Sequence, residues 1–345
     1  MMKHKFNYNW TLKDANFTKD KGKVFSCFAC GGGSTMGYKL AGFDVIGHND
    51  IDKKMIEVYK ENHKPKFSFL ESITTFAKRK DLPSELYNLD ILDGSPPCSS
   101  FSSTGNRELD WGKEKIFKEG QSKQVLDTLF FDFIDLAKEL QPKVVVAENV
   151  EGLLLGNAKS YVRKIYAEFD KTGYYCQHFL LDSKNLGVPQ QRKRVFFICL
   201  RKDLAKPFLY QKDMFTVLPK IDMVFKEKII LLKEFIDYKD TKIKCTDLYS
   251  EYYDNSRQGK PVGKFKTVKR ESENKVAFTQ VATNRNWHPT IKREMNDFEV
   301  KNIASYPQDY ESLGIDFQYL CGMSVPPLMT AQVASNIYEQ WLSKL

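Results

Sequence analysis

The 345-residue chain has no stretch approaching the roughly 18 consecutive apolar residues that a membrane-crossing helix needs. Its opening has no apolar run either. Lys3 and Lys5 sit in Asn- and Lys-rich sequence, so no secretory leader is read there and a cytoplasmic location is expected. Cysteine is scarce and unpatterned: seven residues, at 27, 30, 98, 176, 199, 245 and 321, an odd and scattered set that argues against a disulfide framework and for reduced thiols. Cys27-x-x-Cys30 has the spacing of half a zinc site, but no second CxxC or His pair completes it. No metal is expected, and packing at a strand end is the simpler reading of the pair. Internal repeats are absent as well. Acids are missing from one basic stretch, where Arg257, Lys260, Lys264, Lys266, Lys269 and Arg270 follow one another without an Asp or Glu. Residues 201–285 hold 19 Lys and Arg against 12 Asp and Glu, and so carry +7 of the chain's formal +9. Such a surface suits a phosphate backbone, although charge alone fits a solvated loop equally well.

What is present is enough apolar material, 42% of residues with 13% aromatic, for a large domain and a smaller one. Val24–Phe28 is an apolar run followed by a glycine cluster, and Val45–Ile46 then leads to Asn49-Asp50, which reads as the start of a βαβ unit. Leu89–Leu92 runs into Asp93-Gly94-Ser95-Pro96-Pro97, where two prolines stop a strand and begin a loop, leaving Cys98 just past the strand end. Three- and four-residue spacings across 125–140, from Val125 and Leu126 to Ala137 and Leu140, predict a core-facing helix that Pro142 ends. Val144–Ala147 and Val195–Leu200 read as short strands of a parallel sheet, buried on both faces. Strands alternating with helices predict an α/β, doubly wound, mostly parallel sheet, with ligands gathering at the carboxyl ends of its strands. After Leu200 the texture turns polar, and apolar helical spacing returns only at Val333, Ile337 and Trp341. The expected organisation is a catalytic, cofactor-binding domain over 1–200, an inserted recognition region over 201–317, and a C-terminal segment, 318–345, returning to the first domain.

Several residues in this frame can carry chemistry. Phe28-Ala29-Cys30-Gly31-Gly32-Gly33-Ser34, between a strand and a helix, lets backbone approach a ligand and present helix N-terminal amides. Asp50 is where an acid accepts hydrogen bonds from ribose hydroxyls, so the two features favour an adenosine-type cofactor without naming it. Cys98, on a loop beside that turn, is a candidate nucleophile. Glu148 ends its own buried strand and is a candidate acid, while Arg192 and Arg194 precede a strand expected to run alongside.

In these residues the sequence resembles the cytosine carbon-5 DNA methyltransferases of bacterial restriction–modification systems, over nearly its full length. Phe28 to Gly33 resembles the family's F-x-G-x-G-G turn, and Asn49-Asp50-Ile51-Asp52 its ribose-binding acid. Pro97-Cys98-Ser99-Ser100-Phe101-Ser102 resembles P-C-x-x-F-S, Glu148-Asn149-Val150 is E-N-V, and Gln190-Gln191-Arg192-Lys193-Arg194 resembles Q-x-R-x-R. Glu299 with Tyr306-Pro307-Gln308-Asp309-Tyr310, and Gly322-Met323-Ser324-Val325-Pro326-Pro327, resemble the family's last two blocks. The chain departs from the pattern at Cys30, where a glycine is usual, at Asp50 in place of Glu, and at Met323 in place of Asn. These departures bear on cofactor affinity rather than on the reacting groups.

The resemblance implies S-adenosyl-L-methionine as cofactor, contacted by Phe28, Ala29, Gly31, Gly32, Gly33, Asp50, Ile51, Ser72, Pro97, Leu129, Met323 and Ser324. It implies that Cys98 attacks the ring of a flipped cytosine, Glu148 acts at N3, and Arg192 or Arg194 holds the base carbonyl or a phosphate, with Asn149 organising the group. It implies double-stranded DNA as partner, met by Arg257, Lys260, Lys264, Lys266, Lys269 and Arg270, with monomeric action and a cognate restriction endonuclease for the same site. Two alternatives keep the fold: a tRNA cytosine methyltransferase, and a catalytically silent DNA-binding relative. Amino-group methylation is disfavoured, because Cys98 and not an aromatic residue follows Ser95-Pro96-Pro97.

Overall fold

The computed structural model describes residues 4–97, 114–115, 124–125, 128–155, 158–213, 216–240, 247–262 and 265–345. Seven strands form the main sheet: β1 (Lys23–Cys27), β2 (Asp44–Asp50), β3 (Phe67–Leu70), β4 (Ile91–Gly94), β5 (Val144–Val150), β6 (Tyr174–Asp182) and β7 (Lys193–Arg201). Their spatial order is β3-β2-β1-β4-β5-β7-β6. Every neighbouring pair from β3 to β5 is parallel, but β7 is antiparallel to both β5 and β6. The mostly parallel, doubly wound expectation holds, with one correction: Val195–Leu200 belongs to a reversed strand. Burial on both faces produces the same continuous apolar run in either direction, so composition carries no information on strand polarity.

Alternate residues of each strand face opposite layers. Phe25, Leu92, Val145, Ala147 and Phe197 join one core with α4 (Leu129–Leu140) and α5 (Ala158–Lys171). Val24, Ile91, Val144, Val146 and Ile198 join the other with α1 (Gly33–Leu40) and α9 (Pro327–Gln340). Helix α4 buries Leu129, Phe130, Phe133, Ile134, Ala137 and Leu140, the face read from its spacing. It starts at Leu129 rather than at residue 125, because Gln124–Val125 pairs with Glu114–Lys115 as a two-residue strand.

α2 (Lys53–His63) is capped by Asp52, whose carboxylate accepts from the amides of Lys54 and Met55. Past the sheet edge, Met36 of α1 and Met55 of α2 pack with Ile230, Leu232 and Phe235, and with Val300 and Ile303 of α7 (Asp297–Ile303). Met223 joins the core under α9. Residues 201–317 therefore do not pack as one body. Within them Tyr253, Val262 and Trp287 form a small separate cluster, built from α6 (Asp247–Asp254) and the antiparallel pair Lys260–Val262 and Phe265–Arg270.

Candidate active site

The turn after β1 is unusually wound. Phe28 and Cys30 hold φ of 53° and 48°, and Gly32 holds 82°. Cys30 thus keeps the left-handed conformation that glycine favours, at the cost of a side chain crowding its own backbone. The Cys30 amide donates to the Asp50 carboxylate at 2.8 Å, and the Asp52 amide donates to its other oxygen at 2.9 Å. Burial outweighs these bonds and pushes the Asp50 carboxyl up to about 6.

The glycines also permit a close approach within the protein. A Cβ on Gly32 would lie 2.2 Å from His63 Nε2, and one on Gly33 would lie 2.4 Å from the Val325 carbonyl oxygen. They let the turn seat on α2 and on the segment before α9, and Tyr310 donates its hydroxyl to the Gly31 carbonyl from the same side.

A cleft of ≈ 750 Å³, open to solvent, lies between this turn and the ends of β2, β3 and β4. Of the expected cofactor contacts, Phe28, Asp50, Ile51, Pro97, Leu129 and Met323 line it. Ala29, Gly31, Gly32, Gly33, Ser72 and Ser324 are not among its lining residues. Ser324 is buried and accepts from the Tyr306 hydroxyl at 2.6 Å. Ser72 caps α3 (Ile73–Phe76) by accepting from the Thr75 amide at 3.2 Å, and it is the neighbouring Ile73 that reaches the cleft.

Cys30, Asn49, Met55, Glu71, Ile73, Ser95 and Tyr319 also line it and were not among the expected cofactor contacts. Two had a usable signal: Glu71 directly follows β3, and Tyr319 lies four residues before Met323 on one face of α8 (Phe317–Met323).

At the carboxyl end of β5, Glu148 is buried and pairs with Arg194, Nε to Oε1, at 2.9 Å. Burial raises the Glu148 carboxyl above the usual range, while Arg194, Arg192 and a hydrogen bond from Ser95 pull it down. The reversed direction of β7 creates this pair. In register, Arg194 faces Val150 and Phe196 faces Glu148, so the first residues of β7 meet the last residues of β5.

Arg192 does not join them at the opening. Its guanidinium is buried and donates to the carbonyls of Gln280 (2.8 Å), Gly322 (2.9 Å) and Ser324 (3.1 Å). It clasps three backbone segments together, and of the two arginines expected at the base it is Arg194 that meets Glu148. Asn149 donates to the Pro96 carbonyl at 3.0 Å, two residues before Cys98. Cys98 itself lies outside the described residues.

Asp93, read from sequence only as part of a breaker, is a buried carboxyl on β4. It accepts from Ser26 Oγ at 2.8 Å and the Tyr38 hydroxyl at 3.1 Å, and burial pushes it up to about 7. Its β5 partner is Val146, so it shares a sheet face with Glu148 two residues on.

The basic set divides in the same way. Arg257 and Lys260 are exposed. Lys269 lies over the Phe278 ring at 4.2 Å. Arg270 turns inward over the Tyr253 ring, and its guanidinium donates to the carbonyls of Pro289 (2.8 Å) and Ser256 (2.9 Å), so it braces the small cluster rather than facing a ligand. Lys264 lies outside the described residues, and the side chain of Lys266 is not described.

Residues 22–339 match the family described as C-5 cytosine-specific DNA methylase. The chain belongs to that family. Among curated relatives it is 35% identical over 222 residues to the type II methyltransferase M.NgoPII of Neisseria gonorrhoeae, covering 64% of this chain and 58% of that one. It is 36% identical over 182 residues to M.FnuDI of Fusobacterium nucleatum, covering 53% and 48%. These matches span about half the length of the relatives. A longer one, 27% identical over 348 residues, reaches 94% of this chain and 77% of M.Sau96I of Staphylococcus aureus.

Solved structures share the fold. A prophage-encoded protein of E. coli aligns with a TM-score of 0.66 at 20% identity, covering 92% of this chain and 99% of that one. Spodoptera frugiperda DNMT2 aligns at 0.61 and 19%, covering 90% and 98%. Among the described residues no helix is long and apolar enough to cross a membrane, no His, Cys, Asp and Glu cluster could hold a metal ion, and the five described cysteines are free.

Proposed function

We propose that the protein is a sequence-specific DNA cytosine-5 methyltransferase that methylates a flipped cytosine through a covalent Cys98 adduct, protecting a site also cut by a cognate endonuclease. The observation that carries the reading is Glu148. It is a buried carboxyl, raised by that burial, paired to Arg194 and hydrogen-bonded by Ser95, which lines the cleft together with Pro97, the residue before Cys98.

The cleft's residues fit S-adenosyl-L-methionine. Asp50 offers a carboxylate for ribose hydroxyls, and Phe28, Ile51, Ile73 and Leu129 offer apolar walls for a purine. When bound, the cofactor supplies an electrophilic methyl group on sulfur and leaves as S-adenosylhomocysteine.

The protein's part is to make carbon-5 a nucleophile. The Cys98 thiolate bonds to carbon-6 of the base, and the displaced electron pair shifts through the ring to N3, where Glu148 delivers a proton. The resulting enamine takes the methyl group at carbon-5, and the N3 proton returns to Glu148. A base then removes the carbon-5 proton, the carbon-5 to carbon-6 double bond re-forms, and the thiolate is expelled. Arg194 keeps Glu148 aimed, and Asn149 fixes the Pro96 carbonyl ahead of the nucleophile. Rotating the base out of the duplex costs a few kcal/mol, about what a well-fitted pocket can offset.

We assign double-stranded DNA recognition to residues 201–317, chiefly the part from 247 to 294 with exposed Arg257 and Lys260, and monomeric action. The test is incubation of the protein and labelled cofactor with duplexes containing 5-fluorocytosine, with cytosine duplexes and tRNA in parallel arms. The expected result is a denaturation-resistant adduct on fluorinated DNA that Cys98→Ala abolishes, with turnover on cytosine slowed about 100-fold by Glu148→Gln. Label in tRNA alone, or an adduct that survives Cys98→Ala, refutes the reading.

A further inference from the structure

Residues 4–21 precede the stretch that matches the family, yet they are tied to it by packing and hydrogen bonds. Tyr8, Trp10 and Leu12 pack on the cluster formed by α1, α2 and α7, and the Tyr8 ring meets Phe235 at 5.8 Å. The Trp10 indole donates to the Ser305 carbonyl at 2.9 Å, and the Gln308 amide donates to the Trp10 carbonyl at 2.9 Å. The amides of Leu12 and Lys13 donate to the two oxygens of the Asp309 carboxylate at 2.7 and 3.0 Å.

The clasped segment is under strain, with Ser305 at a φ of 56°. It carries two buried tyrosines in T-shaped contact at 5.2 Å. Tyr310 donates to the Gly31 carbonyl and Tyr306 to Ser324 Oγ, so both hydroxyls reach the cofactor turn or the segment against it. Cβ atoms on Gly31 and Gly33 would lie 3.5 Å from the Tyr310 hydroxyl and 3.3 Å from that of Tyr306, so a shift in either tyrosine is transmitted to the turn.

We propose that residues 8–13 form a strap that holds Ser305–Asp309, and through Tyr306 and Tyr310 the glycine turn, in its cofactor-binding shape, with Asp309 as the positioning residue where strap and turn are joined. The inference rests on the cofactor reading given above. No strap residue lines the cleft, so its loss weakens cofactor binding and leaves the chemistry of bound substrate intact.

The experiment compares the full chain with Asp309→Ala, Asp309→Asn and Trp10→Phe. Lys5→Ala serves as control, since that ammonium meets Glu339 on the surface at 2.8 Å, away from the clasp. S-adenosylhomocysteine binding is measured by calorimetry, and hydrogen exchange at amides 28–33 is measured without ligand. Asp309→Ala should weaken binding about tenfold, as loss of charge-assisted hydrogen bonds worth about 1.4 kcal/mol predicts. Asp309→Asn, which keeps one acceptor, should fall between, and Trp10→Phe should follow Asp309→Ala in direction. All three should exchange faster at 28–33, with turnover at saturating cofactor unchanged and Lys5→Ala like wild type. Should Asp309→Ala fail to fold, Asp309→Asn and Trp10→Phe decide the matter. Unchanged binding and unchanged exchange overturn the strap. Absence of binding by wild type, with the exchange effect present, overturns the cofactor reading instead.

Discussion

Asp93→Asn tests whether the sheet carries a neutral carboxyl at its catalytic end. Burial pushes the Asp93 carboxyl from its ordinary 3.8 up to about 7, a displacement of about three pH units worth about 4 kcal/mol at most. Relaxation of the surroundings, equivalent to an effective dielectric near 20, reduces the expected effect to about 2 kcal/mol. The sign follows from proton counting. A carboxyl that binds its proton more tightly folded than unfolded contributes stability in full below about pH 4, and that contribution is lost as pH rises through 7. Asp50, raised to about 6, and Glu271, raised to about 7, act in the same direction, so wild type should lose stability over pH 4–8. Asn keeps an acceptor for Ser26 Oγ and carries no charge. Urea midpoints measured at intervals from pH 5 to 8.5 should therefore fall less steeply for the variant, the gap opening by about 2 kcal/mol above pH 7. Parallel curves for the two proteins would show that Asp93 ionises without cost and that its burial is not what the geometry implies.

Three further outcomes follow from how particular residues are committed. Cys30→Gly removes a side chain from a left-handed backbone position and should raise unfolding free energy by about 1 kcal/mol in chemical denaturation, less the small packing of the thiol on Met55. A loss of stability would mean that the Cys30 thiol contributes more than its backbone strain costs. Lys260→Ala should lower the salt dependence of DNA binding by about one unit of slope in log affinity against log salt, as loss of one phosphate contact does. Arg270→Ala should instead lower the melting temperature, because its guanidinium braces the carbonyls of Pro289 and Ser256. Equal salt slopes for wild type and Lys260→Ala would remove that residue from the interface.

The sequence made the architecture legible wherever a local pattern has one physical cause. Apolar spacing marked the face of α4, and two prolines after Leu92 marked the end of β4 to within two residues. Glu148 and Asp50 were legible because a buried strand that ends in an acid has few structural reasons to do so. What remained hidden depended on long-range contacts. Nothing near Arg192 announces that Gln280, Gly322 and Ser324, about 90 to 130 residues away, will use its donors. Arg270 looked like its basic neighbours until Tyr253 came under it. The glycines were read for the ligand they could admit, whereas His63 and Val325 occupy the space that their missing side chains leave.

The direction of β7 shows why one such contact can decide a site. Read as a parallel strand, its first residues would lie beside Val144 at the amino edge of the sheet, about 13 Å along the strand from Glu148 at roughly 3.3 Å per residue. Only the reversed strand brings Arg194 to the acid. That reversal depends on the short link from β6. Its Ser183 amide donates to the Arg192 carbonyl at 3.0 Å, its hydroxyl donates to the Gln190 carbonyl at 2.6 Å, and Gly187 turns at a φ of 78°. The Arg192 amide returns a bond to Ser183 Oγ at 3.0 Å. The Gln-x-Arg-x-Arg segment therefore works first as the closure of a hairpin. Arg192 locks that closure to the segments around residues 280 and 322–324, and Arg194, two residues on and on the same side of the strand, is delivered to Glu148 as a consequence.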